Sequence, residues 1–300
     1  MTHRPLRRPL VALAAAVAAV VLLAGCGGDD PSEPVDPGRE VLAPAPDGAQ
    51  HTHLTFVGDG TTADAGGYRI ADLVVPAQVG TPGRLAFRIL DSRGQPVVDY
   101  VEEQTKLLHL YVVRDGDRRF DAFRHLHPVL GDDGTWSTTV DLAEPGDYRV
   151  VAEFVPAERS DGAHVVVGER ARLEAAPGAT YPEPQAVEAV STASDGVVTV
   201  AGPPTIQAGV DAQFDLTVSG PGGGTPNLGT YLGAYAHLTG FETGSGAFIH
   251  AHPLGAPTPG DAGSVISFHT AIDLPGTYRF FVQVRVDGFV HTVPVTTTVA

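Results

Sequence analysis

Histidine is the residue type through which this sequence could do chemistry. Eight of the twelve histidines fall into two sets with the same order and nearly the same spacing. The first set is His109, His125, His127 and His164, and the second set is His237, His250, His252 and His291. Three or four imidazoles gathered at one point suit Zn, Cu(II) or Ni(II). The sequence therefore predicts that the chain binds a metal ion.

Each set contains a His-x-His-Pro motif, over 125–128 in the first half and 250–253 in the second. Alternate residues of a β-strand point to one face and lie about 6.6 Å apart, so both rings of a pair can reach one ion. Proline cannot continue a central strand, so the strand is expected to end there. The other four histidines are expected at or near the ends of neighbouring strands. We therefore predict one metal site in each half.

The ligands that the sequence lacks narrow the choice of metal. Its one cysteine and one methionine are Cys26 and Met1, both near the N-terminus. Because no thiolate or thioether follows, Cu(I) sites and blue-copper sites are excluded. A single cysteine also excludes disulfides within the chain and zinc sites built from several thiolates. The affinity order of divalent ions then favours Cu(II), with Zn second, as the predicted cofactor.

The paired histidines also have a structural interpretation. Duplication copies every residue, so matching histidines can be inherited packing, and His109 lies in a run of apolar residues as a hydrogen-bonded core histidine would. His51 and His53 form another His-x-His pair, an accessory-site candidate with no counterpart in the second half. The ligand interpretation and the packing interpretation both stay open from the sequence alone.

The elements that must position these histidines read as β-strands. Short runs of β-favouring residues alternate with Gly, Pro and Asp turns, and helical periodicity is nearly absent. Seven such runs in each half are typical of a β-sandwich. The two halves resemble each other, and both carry Pro-Gly-x-Tyr before a strand, at Tyr148 and Tyr278. This motif resembles the tyrosine corner of immunoglobulin-like sandwiches.

The predicted fold class is therefore all-β, with two tandem immunoglobulin-like β-sandwich domains over 53–176 and 188–300. Antibody domains place a cysteine two residues after the corner tyrosine, where this chain has Val150 and Phe280. We expect packing alone, without a disulfide, to hold each sandwich together.

The first 26 residues resemble a bacterial lipoprotein signal. Three arginines precede an apolar run over 9–24 that ends in Leu-Ala-Gly-Cys at 23–26. The resemblance implies a signal peptide over 1–25, a lipid on Cys26 and a place at the extracytoplasmic face of the cell membrane. An uncleaved anchor is the alternative. The Pro-rich segment 26–52 is predicted to be a disordered linker because it cannot bury enough apolar surface to fold.

Charge and motif content exclude several function classes. The net charge is −16, which leaves no basic stripe for nucleic acid. Gly-x-Ser-x-Gly, Ser-x-x-Lys and His-Glu-x-x-His motifs are absent from the sequence. We therefore expect no enzyme activity. Segment 246–252 does resemble the His-x-His strand of copper–zinc superoxide dismutase, but Pro253 stands where that family has an acidic residue.

The segment from Leu108 to Arg149 resembles a stretch of secreted bacterial proteins linked with copper or heavy-metal handling. The resemblance rests on 108–114, 123–128, 134–136 and 145–149, and the second half keeps less of it. It implies a metal-associated immunoglobulin-like module. The favoured hypothesis is a lipid-anchored metal-binding protein. The alternative is a structural or interaction module that presents loops to another protein of the cell envelope.

Overall fold

The computed structural model describes residues 55–181, 189–209 and 211–300. The signal-like segment, Cys26, the whole predicted linker, and both His51 and His53 lie outside the described residues. Within those ranges, no helix combines the length and the apolar character needed to cross a membrane.

The first domain contains eleven strands and one 3-10 turn, Gly116–Arg118. The strands are β1 (Phe56–Val57), β2 (Asp64–Ala65), β3 (Tyr68–Val74), β4 (Gly83–Leu90), β5 (Tyr100–Val101), β6 (Leu108–Arg114), β7 (Asp121–Leu126), β8 (Val129–Leu130), β9 (Thr135–Val140), β10 (Gly146–Pro156) and β11 (His164–Leu173).

The second domain repeats this arrangement, with a 3-10 turn over Pro221–Gly223. Its strands are β12 (Thr192–Ser194), β13 (Thr199–Ala201), β14 (Thr205–Ile206), β15 (Asp211–Ser219), β16 (Leu228–Gly229), β17 (Ala236–Glu242), β18 (Phe248–Ala251), β19 (Thr258–Gly260), β20 (Gly263–Ala271), β21 (Gly276–Val286) and β22 (Phe289–Val299).

Each domain is a sandwich of two sheets. In the first domain one sheet has the order β1-β11-β10-β6-β7 and the other β2-β3-β4-β9-β8. The second domain has the matching orders β14-β22-β21-β17-β18 and β12-β13-β15-β20-β19. In both, a short strand runs parallel to the last strand, and the other strand pairs are antiparallel. The predicted all-β fold with two tandem immunoglobulin-like sandwiches is confirmed.

The tyrosine corner is present in both domains. The Tyr148 hydroxyl donates to the carbonyl of Glu144 at 2.6 Å, and the Tyr278 hydroxyl donates to the carbonyl of Leu274 at 2.8 Å. Val150 and Phe280, at the positions of the antibody cysteine, are buried in the two domain cores. Apolar packing therefore occupies the place of a disulfide, as the sequence predicts.

The two domains pack against each other through the sheets that contain β6 and β17. The aromatic ring of Phe123 stacks on that of Phe281 with centroids 4.2 Å apart, and Phe120 stacks on Phe241 at 5.5 Å. The interface cluster is formed by buried residues from both sheets: Tyr111, Val113, Phe120, Phe123, Val151, Val166, Phe241, Phe248 and Phe281. Both domains therefore share a second apolar core.

This packing explains the continuous burial of the two strands that carry the first histidine of each set. Every residue of β6 and of β17 is buried. Leu108, Leu110 and Val112 point into the core of the first domain, whereas Tyr111 and Val113 point into the interface core. Because side chains alternate along a strand, His109 faces the second domain and not its own core.

Candidate metal centre

Three histidines of the first set converge at the domain interface. His109 lies on β6, His125 on β7, and His127 follows the end of β7. One ring nitrogen from each lies within 4.8 Å of those of the other two, and no other group of histidine, cysteine or acidic residues in the described part of the chain meets this spacing. We call these residues the first triad.

Strand register brings the triad together. Leu110 pairs with Leu126, so His109 lies opposite position 127, and His125 occupies the next position on the same face. The strand ends at Leu126, two residues before Pro128. The second domain has the same register, since Leu238 pairs with Ala251. His237, His250 and His252 therefore form a second triad with the same topology.

Hydrogen bonds on the far side of two rings determine which nitrogens of His109 and His125 carry lone pairs. His109 Nε2 lies 3.0 Å from the carbonyl oxygen of Glu103, which can only accept, so Nε2 is protonated and Nδ1 is not. His125 Nδ1 donates in the same way to Gln283 Oε1 at 2.7 Å, with the Gln283 amide nitrogen directed at Thr292. Its Nε2 is then unprotonated as well.

The unprotonated nitrogens of His109 and His125 face each other, and His127 Nε2 lies beside them. His109 Nδ1 is 3.0 Å from His125 Nε2, and His127 Nε2 is 3.3 Å from the same atom. Two lone pairs at this distance repel each other unless a proton or a cation lies between them. The geometry therefore suits a cation bound by His109 Nδ1, His125 Nε2 and His127 Nε2.

In the second triad the same ring nitrogens make the far-side hydrogen bonds. His237 Nε2 donates to the carbonyl of Tyr231 at 2.7 Å, and His250 Nδ1 donates to Glu153 Oε2 at 2.9 Å. His237 Nδ1, His250 Nε2 and His252 Nε2 are buried and find no hydrogen-bond partner among the described residues. Its rings are more spread: the centroids of His237 and His250 lie 6.1 Å apart, against 5.2 Å for His109 and His125.

A strained turn orients the first histidine of each triad. The turns Glu103–Lys106 and Tyr231–Ala234 present their first carbonyl to His109 and His237. Their central residues have positive φ: Gln104 48°, Thr105 67°, Leu232 51° and Gly233 78°. Three of these four residues are not glycine, and a positive φ is disfavoured for residues other than glycine. Strain kept at the same place in both domains is typical of a functional constraint.

Burial disfavours the charged form of five of the six triad rings. It lowers the pKa of His109 to about 4 and that of His237 to about 3. The pKa values of His125, His127 and His252 are also lowered well below the usual range, first by burial and then by the neighbouring imidazoles. Neutral imidazole is the form that binds a metal ion, so these rings are ready to bind at pH 7.

Glu153 is a candidate site residue that the sequence analysis missed. Its side chain is 1% exposed, and its carboxylate accepts from His250 Nδ1 at 2.9 Å, from His164 Nδ1 at 2.8 Å and from the Tyr111 hydroxyl at 3.2 Å. Burial alone would raise its pKa, but His250 and His164 together lower the pKa well below its usual range. The available signal was a single acidic residue within the otherwise apolar run 150–156 of β10.

The fourth member of each predicted set lies outside its triad. His164 bonds to Glu153, and its ring packs edge-on against Phe56 with centroids 5.4 Å apart. His291 Nδ1 bonds to Asp195 Oδ2 at 2.7 Å. The structure thus brings together three histidines from each predicted set, and His164 and His291 have other partners.

The two triads also meet each other. The ring centroids of His125 and His237 lie 6.0 Å apart, and those of His109 and His250 lie 6.3 Å apart. Six imidazoles therefore form one layer between the two sheets. Fold and site together define a tandem immunoglobulin-like protein with a histidine cluster between its domains.

The comparison with protein families agrees with the repeat. The chain belongs to the family of the domain of unknown function DUF8832, whose model matches residues 61–170 and again 191–300. No curated protein matches the chain.

Solved structures resemble the chain only distantly. A titin fragment is 12% identical, with 77% of this chain and 96% of that chain covered and a TM-score of 0.21. An endo-fucoidan hydrolase is 9% identical (83% and 28% covered, TM-score 0.23), and the bacterial integrin-binding protein invasin is 15% identical (78% and 39% covered, TM-score 0.21). The fold assignment therefore rests on the strand topology and tyrosine corners described above.

Proposed function

We propose that this protein binds a divalent transition-metal ion, Cu(II) or Zn, through the histidine triads of its domain interface. The observation that carries the proposal is the convergence of three ring nitrogens within 4.8 Å, one each from His109, His125 and His127. The opposite nitrogens of His109 and His125 are engaged by Glu103 and Gln283, as metal-binding histidines usually are in proteins. Three protein ligands leave a fourth position for water or a small ligand.

The wider setting of the proposal comes from the sequence. Cleavage after residue 25 and a lipid on Cys26 would hold the domains at the outer face of the cell membrane, on a linker over 26–52. The net charge of −16 would favour the approach of cations. The proposed role is metal handling or resistance, with no nucleic-acid partner and no catalysis.

The alternative is a structural or interaction module of the cell envelope, which the immunoglobulin-like fold supports in general terms. A purely structural role predicts that every triad nitrogen has a hydrogen-bond partner. His237 Nδ1, His250 Nε2 and His252 Nε2 have none within the described ranges. Unsatisfied buried polar atoms cost about 1–3 kcal/mol each, which favours the metal-binding role.

The test is a titration of the purified protein with Cu(II) and, separately, with Zn(II), each against a competing chelator. We expect submicromolar affinity, and a loss of at least tenfold in the first-triad site on His127→Ala. His291→Ala is the matched control, because its ring bonds to Asp195 and not to a triad. Binding at micromolar or weaker affinity that is unchanged by His127→Ala and His252→Ala would refute the proposal.

Metal content per chain is the second measurement. Two equivalents by element analysis support a working site in each triad. One equivalent indicates that a single triad binds or that both triads share one ion.

A further inference from the structure

The side chains that hydrogen-bond to the middle histidines come from the opposite domain. Glu153 on β10 is paired in register with His109, and Gln283 on β21 is paired in register with His237. The two residues therefore occupy equivalent positions beside the first histidine of their own domain. Yet Glu153 bonds to His250 of the second domain, and Gln283 bonds to His125 of the first.

These cross-domain hydrogen bonds involve the middle histidine of each triad. Nδ1 of His125 and Nδ1 of His250 point across the interface to a side-chain oxygen of the other domain, at 2.7 Å and 2.9 Å. These bonds fix the tautomer that leaves Nε2 free for a metal ion. In both triads, the hydrogen bond to Nδ1 of the middle histidine comes from the other domain.

The two supporting residues differ in charge. Gln283 offers a neutral amide oxygen, whereas Glu153 offers a buried carboxylate whose other oxygen accepts from His164. A carboxylate behind a histidine raises the basicity of that histidine as a ligand and offsets part of the charge of the ion. A neutral amide fixes the ring but supplies no charge.

We propose that Glu153 and Gln283 are positioning residues that act across the domain interface, and that Glu153 makes the second triad the tighter of the two metal sites. This inference rests on the proposed function. It assigns a difference in affinity between the two sites to the one atom by which the Glu153 and Gln283 side chains differ. It also makes each site dependent on both domains.

The experiment first removes one triad by substitution and then changes the residue that hydrogen-bonds to the middle histidine of the other. His127→Ala leaves the second triad, and His252→Ala leaves the first. Zn(II) affinity is then measured by chelator competition in each background, with Glu153→Gln and with Gln283→Glu added. Near-ultraviolet circular dichroism of the metal-free variants reports whether the interface stays packed. Each substitution installs the residue that the equivalent position already holds.

We expect Glu153→Gln to weaken the second triad by tenfold to a hundredfold, and Gln283→Glu to strengthen the first triad by about tenfold. The effect of each substitution falls on the triad of the opposite domain. Glu169→Gln and Gln213→Glu are the matched controls, since they make the same changes outside the interface.

Two outcomes overturn the inference while leaving the proposed function standing. One is a chain that binds Zn(II) but whose sites respond by less than threefold to both substitutions. The other is an equal response in both backgrounds, which would indicate a general electrostatic effect or one shared ion. Failure of the unsubstituted chain to bind Zn(II) or Cu(II) would instead remove the proposed function itself.

Discussion

At the scale of single residues, the candidate site depends on which ring nitrogen carries the proton. Backbone carbonyls hold Nε2–H of His109 and His237, and side-chain oxygens hold Nδ1–H of His125 and His250. In the first triad the free nitrogens of His109 and His125 therefore point toward each other. In the second triad, His237 Nδ1 and His250 Nε2 are buried without a hydrogen-bond partner among the described residues. Burial keeps the rings of His109, His125 and His237 neutral, because a charged imidazole would lose its hydration.

These pKa shifts predict how the stability of the metal-free protein depends on pH. The folded-state pKa values of His109 and His237, about 4 and about 3, lie below the unfolded value of 6.5. The unfolded chain therefore binds more protons between these values. The stabilisation is fully present above about pH 6.5 and is lost as the pH falls toward the folded-state values, by about 1.4 kcal/mol per pH unit for each such ring.

The measurement is urea unfolding of the metal-free protein at pH 7, 6 and 5. We expect the free energy of unfolding to fall with pH, and His237→Gln to fall less steeply than the unsubstituted chain. An unfolding free energy that stays constant from pH 7 to pH 5 would contradict the neutral buried rings.

At the scale of elements, the turn before each central strand holds strain next to the site. Thr105 has a φ of 67°, and its buried hydroxyl finds no hydrogen-bond partner among the described residues. The equivalent position in the second domain is Gly233, with a φ of 78°. The first domain thus keeps a costly residue where the second has the one best suited to the turn.

Thr105→Gly should therefore stabilise the metal-free protein by about 1–2 kcal/mol, by relieving the strain and removing the unpaired hydroxyl. The midpoint of urea unfolding should rise. Gly233→Ala makes the opposite change, from glycine to a residue with a Cβ, at the equivalent position, and should destabilise the protein by a similar amount. A decrease in stability on Thr105→Gly would show that the threonine has a favourable role in the turn.

At the scale of the whole molecule, the interface core packs the two sandwiches against each other. Phe281 is 3% exposed and stacks on Phe123 with centroids 4.2 Å apart. Phe123 belongs to the strand that carries His125, and Phe281 to the strand that carries Gln283. The same packing that joins the domains therefore aligns the supporting residues with the triads.

Phe281→Ala should cost about 3–5 kcal/mol and separate the domains in thermal unfolding, so that calorimetry shows two transitions in place of one. Metal affinity should fall in both triads because each depends on the opposite domain. Phe289→Ala is the matched control, since Phe289 is 67% exposed. A single transition at an unchanged temperature would contradict the role assigned to the interface.

Much of the local structure followed from the sequence because it depends on short-range rules. Short β-favouring runs between Gly, Pro and Asp turns indicated strands. Pro-Gly-x-Tyr indicated the corners at Tyr148 and Tyr278, and the His-x-His spacing placed two rings on one face. The membership of His109 and His237 in the triads followed from the repeat. The lipid anchor, the metal and the localisation stay predictions.

Only the tertiary structure decided which faces of the two sandwiches meet. His125 and Gln283 lie 158 positions apart in the sequence, and His250 and Glu153 lie 97 apart. No periodicity within either half records that their sheets pack face to face, because alternation gives the direction of a side chain but not what covers it. The sequence alone determined two similar sandwiches with histidines on their strands, and the docking of one sheet on the other turned two separate predicted sites into one interdomain cluster.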